Sequence, residues 1–147
     1  MNQFSRVAVA LAAALSVFNP ALAQSLQGTL YKNPYCTCCE GHAAYLKEHG
    51  ITVDIAVLDD LSAFNSKAGM PTKYEGCHTI MMSGYAIEGH VSAEAIEKLM
   101  QEHPVDVVGI SLPGMPLGVP GMGGEKEGPY EVYAIHKDGA VTVYATE

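Results

Sequence analysis

The chain has 147 residues, of which 48% are hydrophobic and 16% charged, with a formal charge of −8. That balance is too apolar for an intrinsically disordered chain, and the length is too short for more than one ordinary domain. Eight Lys and Arg stand against sixteen Asp and Glu, which argues against a nucleic-acid partner, because phosphate binding needs clustered basic side chains.

Residues 1–23 read as a secretory signal. Residues 1–6 carry one positive charge at Arg6, residues 7–18 form an apolar run, and Ala21-Leu22-Ala23 supplies small residues before Gln24. A run of twelve residues is too short for a hydrocarbon core that takes about twenty, so stable membrane insertion is not expected. Cleavage after Ala23 would leave 124 residues with seven Lys, no Arg and sixteen acids, a formal charge of −9. The expected location is the periplasm.

Residues 26–33 suit a first strand that turns at Asn33-Pro34. From Cys38 to His49 the residues Cys39, His42, Ala43 and Leu46 recur at helical spacing, and Gly50 is a natural stop. Residues 51–58 (ITVDIAVL) are rich in β-branched residues and predict a buried strand. Asp59-Asp60 can cap a second helix running to about Ala68. Residues 79–83 and 85–88 around Gly84 predict a hairpin, and Ser92 caps a third helix whose Ala95, Ile96, Leu99 and Met100 share a face. The order β-α-β-α-β-β-α defines an α/β domain over 24–104 with a parallel pair. Residues 105–147 read as a C-terminal extension. Its stretch 109–129 is dense in Gly and Pro, which excludes helix or central strand there, and a hairpin across Asp138-Gly139 closes the chain.

The four cysteines lie in two places, Cys36-Thr37-Cys38-Cys39 at a strand-to-helix turn and Cys77-His78 before a strand. In an exported protein an even count suggests disulfides, and four cysteines allow three pairings. A bridge within the first cluster would close almost no chain, one between adjacent Cys38 and Cys39 would be strained, and Cys36 or Cys39 with Cys77 is feasible. The functional alternative is a gathering of sulfurs at a helix N-terminus, where free N–H groups stabilise thiolate, the form that is both redox-active and metal-binding. Four soft donors select Cu(I), Zn or iron–sulfur centres, and zinc usually takes separated Cys pairs that this motif lacks.

Met115 and Met122 sit in the Gly/Pro-rich stretch, where burial does not explain them; a thioether favours Cu(I), the alternative being a flexible side chain tucked onto the domain. Met81, Met82 and Met100 are predicted core residues. Proximity to cysteine makes His42, His78 and His90 candidate ligands or partners of ligands. No nucleophile elbow, phosphate loop, H-E-x-x-H or paired-carboxylate signature appears.

The run from Leu30 to Cys39, with the helix and strand after it, resembles a thioredoxin or glutaredoxin opening in which CTCC replaces the usual CxxC. Together with Gly76-Cys77-His78-Thr79, the segment Gly84–Val91, Pro113–Gly118, Pro120-Gly121-Met122 and the terminal hairpin, it resembles the CopG-type periplasmic copper-resistance family over nearly the whole mature chain. The resemblance implies a thioredoxin-like domain holding several copper ions in a cysteine-bridged cluster and interconverting Cu(I) and Cu(II). It implies Cys36, Cys38, Cys39 and Cys77 as core ligands, with Cys36, Cys38 and Cys39 at the redox centre. Met115 and Met122 would come from the extension, and His42, His78 or His90 would complete the shell. The expected partner beyond copper is a periplasmic efflux or chaperone component. A copper chaperone or store without turnover, and a metal-independent thiol–disulfide oxidoreductase, are the alternatives.

Overall fold

The computed structural model describes residues 25–147; the secretory-signal reading of residues 1–23 lies outside them. Strand β1 (Leu26–Lys32) leads through the Asn33-Pro34 turn into helix α1 (Cys38–Glu48), then β2 (Ile51–Val57) and α2 (Leu61–Lys67), whose N-terminus is capped by Asp60 accepting from the Ala63 N–H at 2.8 Å. A short 3₁₀ turn (Thr72–Tyr74) precedes β3 (His78–Met82) and β4 (Tyr85–Glu88). Ser83 and Gly84 between these strands both take positive φ, the geometry that matches hairpin twist. Helix α3 (Ala93–Glu102) is capped by Ser92 and ends at His103 in the left-handed conformation. β5 (Val107–Ser111), β6 (Glu131–His136) and β7 (Val141–Thr146) complete the chain.

The strands form one mixed sheet in the order β2-β1-β3-β4-β5-β6-β7. β1 pairs in parallel with β2, and β4 in parallel with β5, while the other neighbours are antiparallel. The core gathers Leu30, Ile80 and Ile87 from the sheet, Leu46 from α1 and Ile96 and Leu99 from α3, all fully buried. The face expected of α3 is buried as its spacing predicts. Met82 and Met100 lie in this core, Met81 is half-buried, and Met70 is buried in a smaller cluster with Ala86 and Ile135.

Two expectations fail. Gly109, Ile110 and Ser111 fall in the Gly/Pro-dense stretch read as excluding a central strand, yet they belong to β5, an interior strand between β4 and β6. Gly109 is required there by close approach rather than by a turn: an added Cβ would run into the Ala86 backbone across the ladder. The second is β2, expected to be buried. It is an edge strand with Ile55 45% and Val57 55% exposed, because only β1 pairs with it.

The remaining Gly/Pro loop is held against α1. Pro120 to Met122 crosses the first turn of that helix so closely that a Cβ on Gly41 would lie 2.6 Å from the Gly121 carbonyl. Gly41→Ala therefore tests the contact by its sign. In an unencumbered helix the change stabilises by about 1 kcal/mol. Here it should instead lower the melting temperature of the metal-free protein, as overpacking typically costs about 1–3 kcal/mol.

Candidate metal centre

The four sulfurs meet at the end of β1, the start of α1 and the residue before β3. Cys38 and Cys39 open α1, whose N-cap residue Thr37 makes no side-chain cap, so the first-turn N–H groups are left for other partners. Lys32, buried at the end of β1, donates from Nζ to the Cys36 carbonyl and to Glu40 Oε1, both at 2.7 Å, and ties the cysteine turn to the helix. Cys77 approaches from the other side. It is steadied by Glu88, whose Oε2 accepts the Gly76 N–H at 2.9 Å. Gly76 passes Gly89 backbone to backbone, where a Cβ would come within 2.5 Å of the Gly89 nitrogen. That crossing sets Cys77 and His78 beside His90.

Cys36 and Cys39 form a disulfide, and Cys38 and Cys77 are free thiols. The bridge lies within the first cluster and not between Cys36 or Cys39 and Cys77, the pairing the sequence left feasible. A loop this short adds little stability when closed, yet the spacing Cys36-x-x-Cys39 at a helix start brings the two sulfurs within bonding reach. The Cys38 Sγ stands 3.6 Å from Cys36 Sγ and 3.9 Å from Cys77 Sγ, and Cys39 Sγ is 4.0 Å from Cys77 Sγ. The four sulfurs all lie within 4.8 Å of one another. A second group of donors, Cys77, His78 and His90, meets the same limit.

The three imidazoles are buried, with ring centroids 4.9 Å apart in each pair. Their tautomers follow from the ends of the hydrogen-bond chain, because a backbone carbonyl can only accept. His42 Nε2–H donates to the Val91 carbonyl at 2.9 Å, so His42 Nδ1 accepts, at 2.8 Å, from His78 Nε2–H. The remaining nitrogen of His78, Nδ1, carries a lone pair 3.1 Å from Cys77 Sγ. At the other end His90 Nδ1–H donates to the Pro120 carbonyl at 2.7 Å, which leaves the Nε2 lone pair 3.3 Å from the same sulfur. Two lone pairs thus converge on one thiol.

Burial sets the protonation states. It drives His42 down to about 4 and His78 to about 2, and it lowers His90 as well, so all three imidazoles are neutral near pH 7. Burial, with the neighbouring Cys38 next in importance, pushes the Cys77 thiol up to about 12. Its single proton is what a soft cation would displace, gaining one sulfur and two nitrogens already aimed at it. Burial also raises Glu88, to about 7.

Each candidate from the sequence has a place. Cys36, Cys38, Cys39 and Cys77 converge; His78 and His90 face Cys77; His42 stands one residue further out, touching His78 rather than sulfur. Met115, 56% exposed, lines an open cleft of about 660 Å³ together with Tyr35, Cys36, Cys38 and Cys77, whereas Met122 is half-buried against the core. Sequence reasoning missed Lys32, the Glu88 anchor and the two carbonyls that fix the tautomers. Lys32 carried a usable signal, being the one cation on a strand that runs into a cysteine turn.

Residues 74–122 match the family described as "Protein of unknown function, DUF411". No curated protein matches the sequence. Two solved structures, of the copper resistance protein copG in forms 2 and 1, are similar over 84% of this chain, at 34% identity. They are covered over 99% and 98% of their own length, with TM-scores of 0.78 and 0.77.

Proposed function

Because the chain belongs to the CopG copper-resistance family, we propose that it is a periplasmic copper-binding protein that holds Cu(I) on cysteine thiolates and interconverts Cu(I) and Cu(II) as part of detoxification and export. One observation carries the reading: Cys77 Sγ belongs both to the four-sulfur group and to the Cys77–His78–His90 group. A thiolate can bridge two cations, so adjoining donor sets that share a sulfur suit more than one copper ion per chain. Sulfur and imidazole are the donors a soft or borderline cation takes, and copper ranks highest among the divalent first-row metals for such sites. Cys36, Cys38, Cys39 and Cys77 would supply the sulfurs, His78 and His90 the nitrogens, and Met115 a thioether at the cleft. His42 would orient His78, as groups behind ligands do. The periplasmic location rests on the N-terminal pattern of charge, apolar run and small residues, and an efflux or chaperone component would be the copper partner there.

Anaerobic titration of the reduced protein with Cu(I), against a chromogenic Cu(I) chelator, should show more than one ion bound per chain. The Cys36–Cys39 bridge favours a second reading, a thiol–disulfide oxidoreductase independent of metal. Protein that binds no copper yet reduces insulin disulfides would establish that reading in place of the first.

A further inference from the structure

We propose that the Cys36–Cys39 pair is the electron source for Cu(II) reduction at this site, giving up two electrons to two copper ions while Cys38 and Cys77 stay behind to hold the Cu(I) produced. The proposal rests on the copper-binding reading and adds to it the reductant and the division of labour among the sulfurs.

The division is visible in the connectivity. Of three cysteines within four residues the outer two are joined and the middle one, Cys38, is left free, with Cys77 the other free thiol. A bridge closing so short a loop lies at the low end of the scale of chain-entropy stabilisation, so its placement is better explained by chemistry. The two partners are also unlike. Cys36 lines the open cleft, where an ion or a donor thiol can reach it, while Cys39 is fully buried and its Sγ lies 3.7 Å from the Cys77 carbonyl.

The donors that remain after the bridge forms make a complete set. Cys38 and Cys77 present sulfurs 3.9 Å apart, and Cys77 faces the lone pairs of His78 Nδ1 and His90 Nε2. Two thiolates balance the charge of two Cu(I) ions, and no acceptor nitrogen is consumed by the oxidation. These soft donors favour Cu(I) over Cu(II), which draws electrons toward copper. All four sulfurs lie within 4.8 Å of one another, so an ion held on Cys38 and Cys77 is beside the sulfurs that are oxidised.

The step balances. The Cys36 and Cys39 thiols each lose a proton and one electron, an S–S bond forms between them, and two Cu(II) become two Cu(I). Reset requires a dithiol donor. Its thiolate attacks Cys36 from the cleft and expels the Cys39 thiolate, and its second thiol then resolves the mixed disulfide, leaving the donor oxidised.

The test is a single turnover without added reductant. Protein reduced to four free thiols, freed of reductant and kept anaerobic, receives CuCl2 in half-equivalent steps. The expected result is loss of the Cu(II) paramagnetic signal for the first two equivalents and its persistence from the third. Free thiols, counted after copper is stripped under denaturing acid, should fall from four to two, and peptide mapping should find the new bridge between Cys36 and Cys39. Cu(I) formed with all four thiols intact, a bridge involving Cys38 or Cys77, or a persistent Cu(II) signal from the first equivalent would each overturn the proposal. The double variant Cys36→Ser, Cys39→Ser should lose the two-equivalent reduction yet still take up Cu(I) supplied directly, at lower stoichiometry; undiminished reduction by it would also overturn the proposal. Cu(I) titration of the reduced parent protein separates the two readings. If it fails, the copper reading itself is lost, and if only the CuCl2 result fails, that reading stands without this electron source.

Discussion

Cys77→Ser should lower Cu(I) affinity by at least about 100-fold and leave the chain with at most one bound ion. Removing groups that only orient a ligand already costs about 10–100-fold, and Cys77 is a donor in both groups, the sole sulfur of one and a quarter of the other. Serine keeps the size of the side chain and a proton to donate toward His78 Nδ1 or His90 Nε2, so the imidazole chain survives. The melting temperature of the metal-free variant should therefore stay near that of the parent, which separates loss of a ligand from loss of fold. Met115→Leu is the contrasting measurement. At an exposed position in the cleft wall it should cost less than tenfold. A Cys77→Ser protein that binds copper as tightly as the parent would show that the shared sulfur is not the centre of the site.

Acid should destabilise the metal-free protein well above the range in which surface carboxylates titrate. In the unfolded chain His42 and His78 take up protons as pH falls through about 6.5, whereas in the fold they resist protonation down to about 4 and about 2. The folded state binds fewer protons, so stability is full above pH 6.5 and is lost as pH falls, by about 1.4 kcal/mol per unit for each imidazole. His90, also lowered, adds in the same direction. Glu88 acts in reverse. Its pKa in the fold, about 7, exceeds that of an unfolded glutamate, so between about pH 7 and 4.5 the folded state holds the extra proton and gains stability on acidification. The two imidazoles outweigh the one carboxyl, and going from pH 6.5 to 4.5 should cost about 3 kcal/mol, or roughly 10 °C in melting temperature. In Glu88→Gln the offset disappears and the loss over the same interval should rise to about 5 kcal/mol. Calorimetric scans of chelator-treated protein at half-unit steps read both slopes. A melting temperature that is flat between pH 6.5 and 4.5 would mean that these imidazoles are not held neutral.

Local rules carried the sequence reading a long way and stopped where packing took over. The Asp60 and Ser92 caps, the hairpin turn at Gly84 and the apolar face of α3 depend on neighbours within a few residues, and the structure places them where the spacing predicts, with Ser83 joining the turn instead of ending the strand. β5 escaped because Gly109, which reads as a loop residue, is needed where two strands leave no room for a Cβ. The exposure of β2 escaped because β-branched composition reports a strand without reporting how many neighbours it has. At the centre, the clustering of sulfurs was legible from their positions in the chain. The pairing of Cys36 with Cys39 was not, since thiol spacing fits both a bridge and a metal site. Nor was the order of the imidazoles, which depends on the carbonyls of Val91 and Pro120 at distant points of the chain.

The open edge of the sheet bears on how the molecule behaves in a crowd. β2 spans Ile51–Val57, and its midpoint is Asp54, exposed like Ile55 and Val57. Unpaired strand edges invite another strand, and a sheet has the same edge to offer every other copy of itself. If two copies met antiparallel about a two-fold axis at the middle of this strand, Asp54 would face Asp54. Like charges directly opposite each other destabilise such a ladder. A single carboxylate at the symmetric position, on a chain that already carries excess negative charge, thus discourages copies from pairing through this edge, which the exposed Ile55 and Val57 would otherwise reward.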